Sequence, residues 1–189
     1  AHEFGDDGGG GDIGRDGLRA AFRGDDGRGP ATLLTQLVRD AYGLDRLDDL
    51  VDAAIADADG QFSTALIAPL VFDAANLGDG PAQQILEHAG RELALSVRVL
   101  AGRLFRRDEP LRLVLGGSVL QHGRCSIMRD TLVADVRGAF PAVSPCTLDV
   151  PPAVGAALLA LDAALARGAT ASAQVTARVL SELRQREVS

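Results

Sequence analysis

The spacing of apolar residues along the chain predicts a mainly helical protein. Hydrophobic side chains recur every three or four residues through the first half of the sequence, which is the period of amphipathic helices. Successive helical segments begin at Asp12, Pro30, Asp45 and Phe62. Asp12 is placed to cap the first helix and Pro30 to open the second, while Pro69 should kink or restart the fourth. The most regular helix spans Pro81–Arg106, on a stripe of Leu86, Ala89, Leu93, Val97, Leu100 and Leu104.

After this long helix the pattern changes to short apolar runs. Leu111–Leu115 is typical of a buried β-strand, and Gly116-Gly117-Ser118 ends it abruptly. The remaining predicted elements are a helix, a strand and a final helical pair, at residues 124–137, 145–150, 153–166 and 170–186. The chain is therefore expected to have an α/β fold that is predominantly helical and has few strands of its own.

Composition narrows the possible classes of protein. With 189 residues the chain forms one domain or one lobe of a larger enzyme, and its formal charge of −7 argues against a nucleic-acid partner. It contains no Lys, which excludes a Walker-type phosphate loop and a Schiff-base lysine. No apolar run is long enough for a membrane helix, and Cys125 and Cys146 fit buried thiols in a reducing cytoplasm.

Residues 5–12 form the most unusual stretch of the sequence, and we call them the glycine loop. They contain five glycines and three aspartates, and an amphipathic helix follows directly. Glycine lets a backbone approach a ligand closely, and adjacent carboxylates such as Asp6 and Asp7 suit sugar hydroxyls or a hydrated cation. The same composition also fits a flexible acidic linker. Gly14 and Gly17 indicate that another element packs closely against the first turns of the helix.

A second glycine-rich turn follows the predicted strand. A buried strand that leads through Gly116 and Gly117 into a helix can present backbone N–H groups to an adenosine or a phosphate, and Ser118 adds a hydroxyl. Such glycines also occur for steric reasons alone. The three histidines have no metal-ligand spacing, so no metal site is expected within the chain.

The two glycine-rich segments together point to a family. Gly5 to Gly14 resembles the Gly-Asp-Glu-Gly-Ser-Gly-x-x-Ile-Gly signature of the BadF/BadG/BcrA/BcrD ATPases, which include N-acetylglucosamine kinases and belong to the actin-like and sugar-kinase superfamily. Further similar segments follow in order at residues 26–32, 65–71, 78–79, 89–93, 114–120 and 151–157. The resemblance covers nearly the whole chain. It implies the C-terminal lobe of an actin-like ATPase, a ribonuclease H-like fold, without its first strands.

The resemblance implies an amino-sugar site in the glycine loop. Asp6 matches the aspartate that contacts sugar hydroxyls in the N-acetylglucosamine kinases, and Gly5 and Asp7 lie beside it in the sequence. Asp7 stands where the family usually has Glu, and Gly9 stands where it usually has Ser. The loop of this chain therefore departs from the family pattern at two positions, and the expected substrate is N-acetylglucosamine or glucosamine.

The resemblance also implies a nucleotide site. Gly116 and Gly117 match the adenosine turn of the family, and Ser118 and Ala65 match positions near the bound nucleotide. The expected cofactors are ATP and Mg²⁺, which the intact protein would use to phosphorylate the sugar.

Family members place a Gly-Trp-Gly segment, a catalytic aspartate and a whole first lobe before the glycine loop. Residues 1–4 match none of these and are interpreted as a cloning remnant or a cut end, and residues 5–189 as the C-terminal sugar-kinase-like lobe. The catalytic base and the phosphate loops are therefore expected outside this chain. Because phosphoryl transfer needs groups from both lobes, the chain alone is expected not to catalyse the reaction.

Two other functions stay open beside the amino-sugar kinase. Activator ATPases of the same family drive electrons into a dehydratase or reductase and bind an iron–sulfur cluster through cysteines, but Cys125 and Cys146 are not arranged for that. A non-catalytic binding or dimerisation lobe is the third hypothesis, and Gly9 favours it. A lobe without its first strands would expose apolar helix faces such as Leu86–Leu104. The chain is therefore expected to form a homodimer or a higher oligomer, or to bury its open side by rearrangement.

Overall fold

Helices make up most of the computed structural model, which describes residues 7–56, 62–148, 152–166 and 178. The chain divides into a first unit, residues 1–146, and a second unit, residues 147–189. In chain order the elements are α1 (Gly10–Asp25), α2 (Leu34–Tyr42), α3 (Asp49–Ala56), a 3₁₀ turn (Thr64–Leu66), α4 (Ala68–Asn76), α5 (Gly80–Leu104), β1 (Leu111–Leu115), α6 (Ser118–His122), α7 (Ile127–Ala139), β2 (Val143–Thr147) and α8 (Pro152–Ala166). The predominantly helical α/β prediction is confirmed at this level.

Most predicted elements are confirmed, with small shifts at their ends. β1 spans the predicted run, and its residues are alternately buried and exposed. α5 ends at Leu104, close to the predicted Arg106. Pro69 lies in the first turn of α4, after the 3₁₀ turn, so it restarts the helix. β2 begins at Val143, before the predicted Pro145. The predicted helix 170–186 lies outside the described residues except for position 178.

The predicted start of α1 is wrong. The helix begins at Gly10, with Gly9 extended (φ −76°, ψ 165°), and Asp12 lies within the first turn instead of capping it. Glycine has a low intrinsic tendency to be helical, but contacts with the 3₁₀ turn hold this glycine-rich turn in place. The hydroxyl of Thr64 donates a hydrogen bond to the carbonyl oxygen of Gly11 at 2.9 Å.

The predicted start of α2 is also wrong, because a distant carboxylate decides it. α2 begins at Leu34 and not at Pro30. Asp79, the N-terminal cap of α5, accepts hydrogen bonds from Thr32 Oγ1 at 2.9 Å and from the backbone N–H of Leu33 at 2.7 Å. Asp79 also accepts the N–H of Ala82 at 2.9 Å, as a cap does. One buried side chain therefore joins the starts of α2 and α5.

The first unit has two apolar clusters, and α5 contributes to both. The first cluster draws on α1 to α4 and the start of α5, and it buries Leu86 completely. The second surrounds the two-stranded parallel sheet with α7 and the end of α5. The expectation that the α5 stripe meets water is therefore wrong for Leu86. It is confirmed for Leu100 and Leu104, which are 58% and 76% exposed.

Candidate functional site

The end of the glycine loop packs against the middle of α5. Gly8 has φ +90°, a backbone conformation that residues other than glycine rarely adopt. A Cβ at Gly8 would lie 3.1 Å from Cγ of Leu93 and 3.3 Å from the carbonyl oxygen of Ala89, so the space is also tight. The carboxylate of Asp7 accepts the N–H of Gly8 at 2.7 Å. The described part of the loop is therefore held in a defined position.

The first turns of α1 are packed just as closely on their other side. A Cβ at Gly14 would overlap the backbone carbonyl of Thr64, and a Cβ at Gly17 would overlap the side chain of Val71. The expectation that another element packs against these glycines is confirmed. The first turns of α1 are therefore fixed by close packing against the 3₁₀ turn and α4.

The second glycine-rich turn lies between β1 and α6. Gly117 has φ +91° and ψ 152°, and nothing lies within 4 Å of the position where its Cβ would stand. Its N–H donates to Oε1 of Gln121 at 3.0 Å, and the N–H of Gln121 donates to the carbonyl oxygen of Gly117 at 3.0 Å. Sequence reasoning missed Gln121, although an amide side chain four residues after the turn is a signal of local capping.

The two glycine-rich segments face each other across one cleft, which we call the main cleft. Its volume is about 560 Å³. Its walls are the described end of the glycine loop with the start of α1, and the turn that leads into α6. The lining residues are Asp7–Asp12, Arg15, Thr64, Leu93, Gly116–Leu120 and Met128. Two segments more than a hundred positions apart in the sequence therefore contribute to one site.

A smaller cavity of about 440 Å³, the side cavity, adjoins the main cleft. Gly10, Ser118 and Val119 line both spaces. The side cavity also has Ala65 in its lining, together with Ala68, Pro69, Phe72, Asp73, His122, Gly123 and Arg124. Ser118 therefore lies at the boundary between the two spaces.

The structure brings most of the predicted site residues together. Asp7 lies at the glycine-loop wall of the main cleft, and Gly116, Gly117 and Ser118 form the opposite wall. Ala65 lines the side cavity instead. Gly5 and Asp6 lie outside the described residues, so their predicted contacts stay predictions.

One charged pair in the main cleft was not anticipated. Nη2 of Arg15 donates to Oδ1 of Asp12 at 2.8 Å, and both side chains are largely buried. Among the described residues that line the cleft, Arg15 is the only basic one. The signal was present in the sequence, since Asp and Arg three residues apart on a helix are neighbours.

These features belong to a recognised class of protein. A model of the BadF/BadG/BcrA/BcrD ATPase family matches residues 2–160, and the chain is a member of that family. It is similar to the N-acetyl-D-glucosamine kinase of Dictyostelium discoideum, with 31% identity over 84% of this chain and 50% of that protein. It is also similar to the N-acetylmuramic acid/N-acetylglucosamine kinase of Clostridium acetobutylicum, with 31% identity over 64% of this chain and 40% of that protein.

The family resemblance inferred from the two glycine-rich segments is therefore confirmed. The chain spans about half the length, or less, of these curated relatives. Among the helices that the structure describes, none is both long enough and apolar enough to cross a membrane.

Proposed function

We propose that the protein to which this chain belongs is an ATP-dependent amino-sugar kinase, and that this chain supplies one wall for the sugar and one for adenosine. The observation that carries the proposal is the main cleft, where residues 7–12 face Gly116, Gly117 and Ser118. Kinases gain most of their rate by positioning acceptor and phosphoryl donor together. A cleft between two fixed walls is suited to that task.

The sugar is assigned to the wall formed by the glycine loop. Asp7 and Asp12 line this wall, and carboxylates accept hydrogen bonds from sugar hydroxyls. Asp6, which precedes Asp7, is the residue that the family resemblance gives to the sugar. Both relatives are named as kinases of N-acetylglucosamine, which supports an amino sugar as the substrate class.

The nucleotide is assigned to the opposite wall and to the side cavity. Ser118 lines both spaces, and Ala65 lines the side cavity. An adenosine at the turn of Gly116 and Gly117 that extends past Ser118 would reach Ala65 in the side cavity. This arrangement would account for Ala65 lying apart from the other predicted residues.

The described residues fit a Mg²⁺ ion that binds together with the nucleotide. They fit less well a site in which protein side chains alone coordinate the ion. Mg²⁺ usually binds through one or two carboxylates together with substrate phosphates. Asp7 and Asp12 line the cleft, and within the described ranges no three His, Cys, Asp or Glu side chains converge as a metal site. The bound ion would neutralise phosphate charge.

The activator ATPase and the non-catalytic lobe remain the alternative proposals. Cys125 is a buried free thiol, which supports the cytoplasm as the compartment, whereas Cys146 is only partly buried. An iron assay on the purified protein tests the activator function directly, because that function requires a bound cluster. Ligand binding without ADP formation in the native gene product would favour the non-catalytic lobe.

The main experiment measures ligand binding to the full-length native gene product by calorimetry. Asp6→Ala is expected to weaken N-acetylglucosamine binding at least about tenfold, because hydrogen bonds to a charged group contribute about 1.5–3 kcal/mol each. Binding of ADP should change less than about twofold, since ADP is assigned to the other wall. Asp25→Ala, at the exposed far end of α1, is the matched control.

Equal weakening of N-acetylglucosamine and ADP by Asp6→Ala would count against the sugar assignment. A coupled assay for ADP formation completes the test. Sugar-dependent ADP formation by the native gene product is expected, and its absence at saturating sugar and ATP would refute the kinase proposal.

A further inference from the structure

Arg15 occupies a position in the main cleft that the proposed function does not yet use. It lies on α1, one turn beyond Asp12, and its side chain is 27% exposed. A largely buried guanidinium needs compensation for lost hydration. The described lining of the cleft contains two carboxylates, Asp7 and Asp12, beside this single cation.

The guanidinium of Arg15 is held at one end. Nη2 donates to Oδ1 of Asp12 at 2.8 Å, whereas Nε lies 4.0 Å from Oδ1 of Asp16, beyond hydrogen-bonding distance. Within the described residues, no partner is recorded for Nη1. Because a guanidinium has five N–H donors in a planar fork, this side chain has an orientation fixed by Asp12 and donor capacity to spare.

We propose that Arg15 is a specificity-determining residue that binds a carboxylate substituent on the amino sugar. This inference rests on the proposed function, since it names the substrate class of the same cleft. The planar fork of Arg matches a carboxylate better than a point charge does. The start of α1, whose partial positive charge favours anions, lies at the same wall.

The geometry favours a carboxylate on the sugar over a phosphate of the nucleotide. Arg15 belongs to the α1 wall, whereas the nucleotide is assigned to the wall of Gly117 and Ser118. Asp12 already shares the charge of Arg15, and Asp7 adds a second negative charge to the cleft. The described lining is therefore net negative, and a polyphosphate would meet stronger repulsion there than a monoanion held by the fork of Arg15.

The test compares two sugars that differ by one substituent, which carries a carboxylate. N-acetylmuramic acid is N-acetylglucosamine with a lactic acid ether on O3, and its carboxyl is ionised at neutral pH. Calorimetry on the full-length native gene product would measure the Kd of each sugar for wild type and for Arg15→Gln. We expect Arg15→Gln to weaken binding of the carboxylated sugar about 10- to 100-fold. The affinity for the neutral sugar should change less than about twofold.

Two further variants separate charge from structure. Arg15→Lys keeps the positive charge and should retain part of the preference for the carboxylated sugar, while losing the fork geometry. Arg19→Gln is the control. Arg19 lies on the same helix but outside the main cleft, and it pairs with Asp16 at 3.1 Å. The substitution should leave the affinity for both sugars unchanged.

The outcomes separate this inference from the proposed function. Equal weakening of both sugars by Arg15→Gln would overturn the inference, and so would wild-type protein that binds the neutral sugar but not the carboxylated one. Loss of ADP binding with both sugars unaffected would assign Arg15 to a phosphate instead. If wild-type protein binds neither sugar, the proposed function itself fails.

Discussion

The two walls of the main cleft use glycine for different physical reasons. On the α1 wall, neighbours already occupy the space a side chain would need, as the carbonyl of Thr64 does at Gly14. On the opposite wall, the space around Gly117 is open, but its φ of +91° is one that other residues rarely adopt. The first wall is fixed by packing between helices, and the second by backbone conformation.

This difference predicts how each wall responds to change. A fixed α1 wall should hold its polar groups in position before a ligand arrives, which lowers the cost of binding. The turn at Gly117 is stabilised by local bonds to Gln121 only four residues away. It can therefore be altered with less effect on the rest of the fold. Alanine substitutions on the two walls test this comparison.

The largest expected effect is on the α1 wall. Gly14→Ala should destabilise the protein by about 3 kcal/mol or more, because its Cβ would overlap the backbone carbonyl of Thr64, which no side-chain rotation relieves. Urea denaturation followed by circular dichroism would measure the change in the free energy of unfolding.

Gly10→Ala, on the same helix, is the matched control. Its nearest neighbour would be Cγ2 of Val119 at 3.7 Å, an ordinary contact. Stability should then stay within about 1 kcal/mol of wild type or rise slightly, since alanine favours helix. Similar losses for Gly10→Ala and Gly14→Ala would mean that packing does not fix this wall.

Sequence periodicity identified most helices and β1 because each depends on its own apolar pattern. The two wrong helix starts show where local information ends. Asp79 sets the start of α2 from 46 and 47 positions away, through Leu33 and Thr32. Nothing near Pro30 in the sequence indicates that contact. Helix boundaries that depend on a distant side chain follow only from the three-dimensional fold.

The candidate site was predictable to a similar extent. Gly116, Gly117 and Ser118 were identified from the strand that precedes them, and Asp7 from the composition of its loop, with support from the family pattern. Arg15 and Gln121 were not, because Arg15 matters as a residue that lines the cleft and Gln121 as a hydrogen-bond partner of the Gly117 backbone. The family signature identifies the site residues in the loops. The side chains that the following helices contribute can be recognised only in the structure.

The second expected effect concerns the turn. Gly117→Ala should destabilise by about 2 kcal/mol, the cost of holding alanine in a backbone region almost restricted to glycine. Gly102→Ala in α5 is the control, because it also has nothing within 4 Å of its Cβ position but lacks the positive φ. It should stabilise by about 0.5–1 kcal/mol. If the urea midpoints of both variants shift in the same direction, the conformational explanation is wrong.

The smallest expected effect tests whether the α1 wall tolerates the residue usual in its family. Gly9 caps α1 in an extended conformation, without a side-chain hydrogen bond. Gly9→Ser would place a hydroxyl where it can accept an N–H of the first turn, and the nearest atom to the added Cβ is Oδ2 of Asp12 at 3.4 Å. We expect stabilisation of a few tenths of a kcal/mol, about the difference between serine and glycine as caps.

Gly9→Ala separates the hydroxyl from the effect of a side chain as such. Alanine lacks the acceptor and is a poor cap, so this variant should be about 1 kcal/mol less stable than Gly9→Ser. Urea midpoints measured side by side resolve a difference of that size. If serine and alanine are equally stable at position 9, the start of α1 does not depend on its cap. Packing of Gly14 against Thr64 would then be sufficient to set the wall.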